Sequence, residues 1–323
     1  MISTFKEHTQ LSQRSSQKLG QQLSQLQRAR ALELPSREDM LNRAPSVQQF
    51  WNNNRQLLSD AWVEWEESEK HSLFTPNDSL LDAKLRDAVM QAWEDPTKES
   101  AVLNLWEEVS TDVFQCQFFD PQGLRDLRNY LDKIADAQIP LRPPYGIALN
   151  RRGAMLDQRS EGFLAAPSFQ VFYRELMDKY MRPISRLLFP EVMGYDNQTF
   201  GFSIHYQPGM DTSLQPHTDA SAATLNINLN MPNETFTGSE VDFYDANLGT
   251  TNRLAFKPGM AMLHRGSVPH AAQTITSGER SNIVLWPYGD GGQIPLQRAA
   301  RHTIDAQARW TVPTATYDKV APF

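Results

Sequence analysis

From about residue 198 the chain breaks into seven short runs: QTFGFSIHYQP, ATLNINLNM, SEVDFYD, RLAFKP, GMAMLHRG, AAQTITSG and RSNIVLWPYG. Gly, Pro, Asn or Asp separates each from the next. Short runs rich in β-branched and aromatic residues, punctuated by turn formers, read as strands, and strands at this spacing suggest a sandwich or barrel. The first third of the chain is instead rich in helix formers. The fold class expected is therefore α+β.

Within the helical part, Ser36 followed by Asp39, after Pro35, resembles a capping box with Asp in the acidic position. Between 46 and 70, Phe50, Leu57, Leu58, Ala61, Trp62 and Trp65 recur at helical spacing and mark one apolar face. Two more periodic stretches follow, around Leu81 to Trp93 and Val102 to Val113, and their tryptophans read as core. Residues 3 to 32 read as a weakly amphipathic helix or a partly ordered arm. The texture changes near 113, where VFQCQFF (113–119) predicts a strand. Residues 120–137 predict a helix begun by Asp120, with Pro121 in its first position. RPPYGIALNRRGAML (142–156) predicts irregular strands. The stretch 167–189 predicts an amphipathic helix with Phe172, Leu176, Tyr180, Ile184, Leu187 and Leu188 near one face, kinked or divided at Pro183. The last 30 residues, after GDGG, are polar and carry no signature.

Composition narrows the function classes. A net charge of −7 argues against binding nucleic acid by phosphate neutralisation. Cys116 is the only cysteine, so there is no intrachain disulfide and no cysteine zinc site, and any metal must be held by His, Asp and Glu. No apolar run approaches the roughly 20 residues of a membrane helix, and the polar N-terminus lacks the core of a secretory signal. A cytoplasmic protein is expected, without membrane contact.

The chemistry concentrates in QPHTDASAATLNINLN, where His217 and Asp219 stand two apart. In a strand, such residues share a face. With His270 in VPHAAQ they would make a two-histidine, one-carboxylate set that leaves coordination positions open, as non-haem Fe(II) oxygenases do. The pattern alone is weak, since a surface His–Asp pair and an unrelated histidine would look the same. Arg280, in SGERSNIVLW, adds a planar cation able to grip a carboxylate with two parallel hydrogen bonds. It could equally be an exposed hairpin charge, although its place at the start of an apolar strand favours an inward position.

In this order the pieces resemble the catalytic core of the 2-oxoglutarate- and Fe(II)-dependent dioxygenases, in their prolyl 4-hydroxylase-like branch. They are HYQPG (205–209), PHTDASAATLNINLN with its HxD, FTGSEVDFYD (236–245), KPGMAMLHRGSVPH (257–270) and GERSNIVLW (278–286). TLNINLN, FTGSEVDF and the upstream RPPYGIALNRRGAML are similar to the small family of 2-oxoglutarate and iron-dependent oxygenase domain-containing proteins. The resemblance covers roughly the C-terminal half; residues 1–110 resemble no family. It implies a double-stranded β-helix (jelly-roll) core with supporting helices, over 111–300 and with its metal and cosubstrate centre at 200–288. A mainly helical N-terminal region (1–110) and a C-terminal extension (301–323) would flank that core.

Residue by residue, the resemblance implies that His217, Asp219 and His270 bind Fe(II) and that Arg280 binds the C5 carboxylate of 2-oxoglutarate. Tyr206 matches an aromatic that contacts the same carboxylate. Asn226, one of the alternating Thr224, Asn226 and Asn228, is a further cosubstrate contact. O2 is the second cosubstrate and ascorbate a candidate reductant. The implied reaction is hydroxylation of an amino-acid, peptidyl or small natural-product substrate with release of succinate and CO2, and Arg265, Arg142 and Arg152 are candidates for an anionic group of that substrate. Two positions depart from the branch: Gly238-Ser239-Glu240 stands where two glycines usually precede the acid, and Arg280 where Lys is frequent. The acid at 219 disfavours halogenation, because related halogenases have Ala or Gly there. Two other readings stand at this point, a zinc hydrolase on the same triad and a non-catalytic cupin-like or interaction protein. Homo-oligomers through the N-terminal helices are a further expectation.

Overall fold

The computed structural model describes residues 23–144, 153–210, 212–245, 248–289, 293–295 and 297–314. Its helices are α1 (Gln25–Arg30), α2 (Arg37–Leu41), α3 (Pro45–Glu69), α4 (Ala83–Glu94), α5 (Ser100–Leu103), α6 (Gly123–Asp136), α7 (Pro167–Glu175), α8 (Arg182–Leu188) and α9 (Ala306–Arg309). Twelve strands follow or interleave: β1 (Glu107–Ser110), β2 (Val113–Gln117), β3 (Thr199–Tyr206), β4 (Leu214–His217), β5 (Ala223–Asn228) and β6 (Thr237–Gly238). The remainder are β7 (Val241–Asp245), β8 (Thr250–Leu254), β9 (Met260–Arg265), β10 (His270–Ala272), β11 (Ile275–Ser277) and β12 (Arg280–Pro287). None of the described helices is long and apolar enough to cross a membrane.

Strand pairing is antiparallel throughout. A six-stranded sheet runs β1-β2-β9-β5-β12-β3, a four-stranded sheet runs β4-β10-β7-β8, and β11 pairs with β6. Period-two alternation assigns the faces of the larger sheet. Leu225, Ile227, Ala261, Leu263, Ile283 and Leu285 join the helices in one core with Trp51, Trp62, Leu85, Leu124 and Phe172. Their alternate neighbours Phe202, Ile204, Met262, Val284 and Trp286 line a pocket that Val241, Phe243 and Ala272 of the smaller sheet complete. The molecule is thus layered as helices, large sheet, pocket and small sheet.

Local capping agrees with the sequence in part: Ser36 caps α2, but the Asp39 carboxylate accepts from the Ser36 hydroxyl at 2.7 Å rather than from its backbone N–H, and Pro121 precedes α6 rather than taking its first position. The Ser36 hydroxyl accepts from Asp39 N at 3.0 Å, and Asp120 Oδ1 accepts from Gln122 N and Gly123 N at 2.7 and 3.1 Å, although α6 itself begins at Gly123. The stretch 102–113 is not one helix. After α5 the chain turns into β1, and Asp112, at φ 59°, makes the turn into β2 with its N–H on Glu108 Oε1 at 3.1 Å. AAQTITSG is likewise split, β10 and β11 belonging to different sheets. The short β4 and β6 lie outside the seven runs read from the sequence.

The predicted kink at Pro183 takes a specific form. Leu176–Met181 winds as π-helix between α7 and α8, and Pro183 sits in the first turn of α8. A helical proline leaves the carbonyl four residues back without its usual donor. That carbonyl is Lys179 O, and the indole Nε1–H of Trp93 donates to it at 2.9 Å. The C-terminal stretch also gains a role that its composition hides. Arg309 Nε and Trp310 Nε1 donate to Glu99 Oε2 at 2.9 and 3.0 Å, and Arg186 Nη1 donates to Thr311 O at 2.7 Å, strapping this segment to the helical layer. Replacing Trp93 by Phe keeps the ring but orphans the Lys179 carbonyl, and should cost about 1–3 kcal/mol in urea unfolding. Stability equal to wild type would show that the indole does not serve that carbonyl.

Candidate metal and anion site

β4 and β10 pair with His217 opposite His270, and their ring centroids lie 4.3 Å apart. Asp219 does not share a strand with His217 as expected. His217 is the last residue of β4, and Asp219 lies in the turn that leads to β5. The turn is fixed from across the site, where Asp219 N donates to Gly266 O at 2.8 Å. Gly266 packs so closely that a Cβ there would lie 2.0 Å from Ser221 O.

One ligand atom each from His217, Asp219 and His270 lies within 4.8 Å of the other two. His217 Nε2 is 3.5 Å from Asp219 Oδ1, and His270 Nε2 is 3.8 Å from Asp219 Oδ2. Both histidines present Nδ1 to a backbone carbonyl, Gln215 O at 2.7 Å and Val268 O at 3.0 Å. A carbonyl only accepts, so Nδ1 carries the hydrogen and the Nε2 lone pair faces the carboxylate, the tautomer a metal needs. Converging lone pairs and a carboxylate, with no hydrogen to share once both rings are neutral, form a donor set that a divalent cation completes.

Electrostatics favour an ionised Asp219 and a neutral His270. Burial opposes charge on Asp219, but the His217 hydrogen bond and the neighbouring His270 and His264 hold its pKa down at about 2. Burial, outweighing Asp219, lowers His270. His217 is also opposed by burial, yet Asp219 and the Gln215 carbonyl raise it, so its proton is the one a metal must displace.

Tyr206 and Arg280 are direct partners across β3 and β12. The Arg280 side chain is buried in the same pocket, its guanidinium carbon 4.4 Å from the Tyr206 ring centroid and 5.1 Å from that of Phe256. Nη1 donates to Ser239 O at 2.6 Å, while Nε has no hydrogen-bond partner. Among the described residues no acidic side chain forms an ion pair with it. The GSE departure matters here. Gly238 and Ser239 both have positive φ, 76° and 62°, so Ser239 holds a left-handed backbone that glycine adopts without strain. That conformation belongs to the residue whose carbonyl Arg280 contacts.

Asn226 lines the pocket and its Oδ1 accepts from Asn282 Nδ2 at 2.6 Å, while Asn228 Nδ2 donates to Asn282 Oδ1 at 3.1 Å. Of the three arginines considered for the substrate, the two that are described lie elsewhere. Strand parity sends Arg265 to the face opposite His264; it meets Asp112 at 3.0 Å and Glu191, and packs over the Phe189 ring at 4.7 Å. Arg142 is buried beside Glu161 at 3.1 Å. Arg152 lies outside the described residues.

Two residues complete the site without having been singled out as its members. Thr224 Oγ1 donates to Asp219 Oδ2 at 2.5 Å. His264 is 2% exposed, and its Nε2 is 3.9 Å from the same oxygen. Burial and the nearby His270 lower its pKa to about 4. Parity along GMAMLHRG carried the signal, since Ala261 and Leu263 face the helices and Met262 and His264 the pocket. Replacing Thr224 by Val removes the donor that orients Asp219, and should weaken divalent-metal binding about 10- to 100-fold in a calorimetric titration. Unchanged affinity would deny the hydroxyl that role.

No family model matches the chain. It is 29% identical over 189 residues to the 2-oxoglutarate and iron-dependent oxygenase domain-containing protein ICU11 of Arabidopsis thaliana, covering 54% of this chain and 44% of that one. It is 28% identical over 227 residues to the 2-oxoglutarate and iron-dependent oxygenase domain-containing protein 2 of Homo sapiens, covering 65% and 60%. Among solved structures, a Pseudomonas putida prolyl-4-hydroxylase aligns with a TM-score of 0.40 at 14% identity, over 64% of this chain and 100% of that one. The chain spans about half the length of the curated relatives it matches. Over more than half of its own length, then, the chain is similar to the 2-oxoglutarate and iron-dependent oxygenase domain-containing proteins.

Proposed function

We propose that this chain is a 2-oxoglutarate- and Fe(II)-dependent dioxygenase built on a double-stranded β-helix, or jelly roll. The observation that carries the proposal is a buried guanidinium, Arg280, without an acidic partner among the described residues and in the same pocket as His217, Asp219 and His270. A buried charge without its counterion is costly, and a carboxylate ligand supplies that counterion. A zinc hydrolase or a cupin-like interaction protein needs no such cation beside its metal.

In this reading His217, Asp219 and His270 would hold the metal, and the pocket they share with Arg280 would take its other ligands. Arg280 grips the distal carboxylate of 2-oxoglutarate, flanked by Tyr206, and the Asn226 amide, pinned by Asn282, contacts the cosubstrate. Phe202, Ile204, Val284 and Trp286 wall the pocket with apolar surface and keep bulk water from the reacting atoms. Bound there, iron(II) supplies a coupled oxidation, in which O2 converts 2-oxoglutarate to succinate and CO2 and oxidises a substrate C–H bond. Asp219 would fill the position that a halide otherwise takes, which disfavours halogenation, and hydroxylation is favoured over desaturation. The substrate class is an amino-acid, peptidyl or small natural-product C–H bond, with ascorbate a candidate reductant. A peptidyl substrate accords with the chain's 30% identity, over 123 residues, to the procollagen-lysine,2-oxoglutarate 5-dioxygenase 1 of Mus musculus, of which it covers 16%.

Replacing Arg280 by Ala removes the bidentate grip and should weaken 2-oxoglutarate binding by about 2–5 kcal/mol, by analogy with buried charge pairs at interfaces. Metal affinity should stay within about twofold of wild type, because the guanidinium engages the cosubstrate and is not a metal ligand. A calorimetric titration of the metal-loaded variant reads both, and undiminished cosubstrate affinity would remove Arg280 from the account.

A further inference from the structure

His264 belongs to the pocket but not to the ligand set. The three atoms that cluster within 4.8 Å come from His217, Asp219 and His270. Its ring is buried between His270 and Phe243, at centroid distances of 4.7 and 5.2 Å. Its Nδ1 meets the Arg265 carbonyl at 2.8 Å and therefore carries the hydrogen, which leaves Nε2 as a lone-pair acceptor. That acceptor faces another, Asp219 Oδ2, at 3.9 Å, too far for a direct hydrogen bond. Asp219 Oδ2 is already oriented by the Thr224 hydroxyl.

Two acceptors about 4 Å apart suit a donor with two hydrogens. A water whose lone pair is committed to a metal is such a group. We propose that His264 is a positioning residue which, together with Asp219 Oδ2, receives the two hydrogens of a water bound at one of the open metal positions, and so slows the exchange of that water. The proposal rests on His217, Asp219 and His270 being the ligands of a divalent metal. It does not depend on the identity of any cosubstrate. It assigns His264 a role in deciding when the open position becomes free, which the ligands alone do not control.

The test uses the full chain loaded with Mn(II), in which water-proton relaxation reports the number and residence time of metal-bound waters. His264→Leu should shorten that residence time on the order of tenfold, as removal of one hydrogen bond to an activated donor would. Mn(II) affinity should be retained, and His264→Gln, whose Oε1 can accept, should restore most of the residence time. His264→Phe fills the slot beside Phe243 and carries the comparison if the leucine variant does not fold. Equal residence times in wild type and the apolar variants would overturn the proposal. Loss of Mn(II) binding in a folded apolar variant would overturn it as well, by making His264 a ligand. Adding 2-oxoglutarate afterwards tests the oxygenase reading separately. If the cosubstrate displaces no water, that reading fails while the residence times already measured still decide the role of His264.

Discussion

The site depends on one register, the antiparallel pairing of β4 with β10 that sets His217 directly against His270. A slip of one residue in either strand would turn an imidazole out of the pocket, because successive strand side chains point to opposite faces. β10 also pairs with β7, His270 lying opposite Phe243, so the distal histidine is held from both sides of its strand. The carboxylate is added by a turn whose position is locked by the hydrogen bond from Asp219 N to Gly266 O. Two chain segments, β4 with its following turn and β10, thereby bring three ligand atoms within 4.8 Å of one another.

Around that register the molecule carries features that make little sense without ligands. Arg280 is buried against two aromatic rings, with Nε unsatisfied and no acidic partner among the described residues. Ser239 holds a left-handed backbone where its carbonyl meets Arg280. His264 Nε2 and Asp219 Oδ2, both acceptors, lie 3.9 Å apart. Strain, unpaired charge and opposed acceptors are tolerated where function needs them. The helical layer and the C-terminal strap, with its buried Arg186–Asp196 pair at 2.5 Å, provide a rigid back for the large sheet.

Much of this was legible in the residues themselves. The runs from 198 onward pointed to a β-rich sandwich or barrel, and the α3 tryptophans announced a helix whose face is core, with Trp51, Trp62 and Trp65 all buried. The ordered motifs pointed to His217, Asp219, His270 and Arg280, and all four line one pocket. What stayed hidden lacks a local signature. The His–Asp pair suggested a shared strand face, whereas a turn anchored to distant Gly266 brings Asp219 in. Arg265 drew attention as a charge near a histidine, but parity turns it towards Asp112 and leaves its neighbour His264 in the pocket. The link between Glu99 and Arg309 joins residues remote in the chain, and no composition or period reveals it.

The central claim is that the His217–Asp219–His270 cluster and Arg280 form one site for a divalent metal and a dicarboxylate keto acid. The most direct measurement is an anaerobic titration of the Fe(II)-loaded chain with 2-oxoglutarate, followed by visible absorption. Bidentate chelation of iron by a 2-keto acid produces a charge-transfer band, which should appear at saturation in the wild type and be lost in His217→Ala. A wild-type chain that binds Fe(II) but develops no such band, and releases no heat on adding the keto acid, would contradict the account.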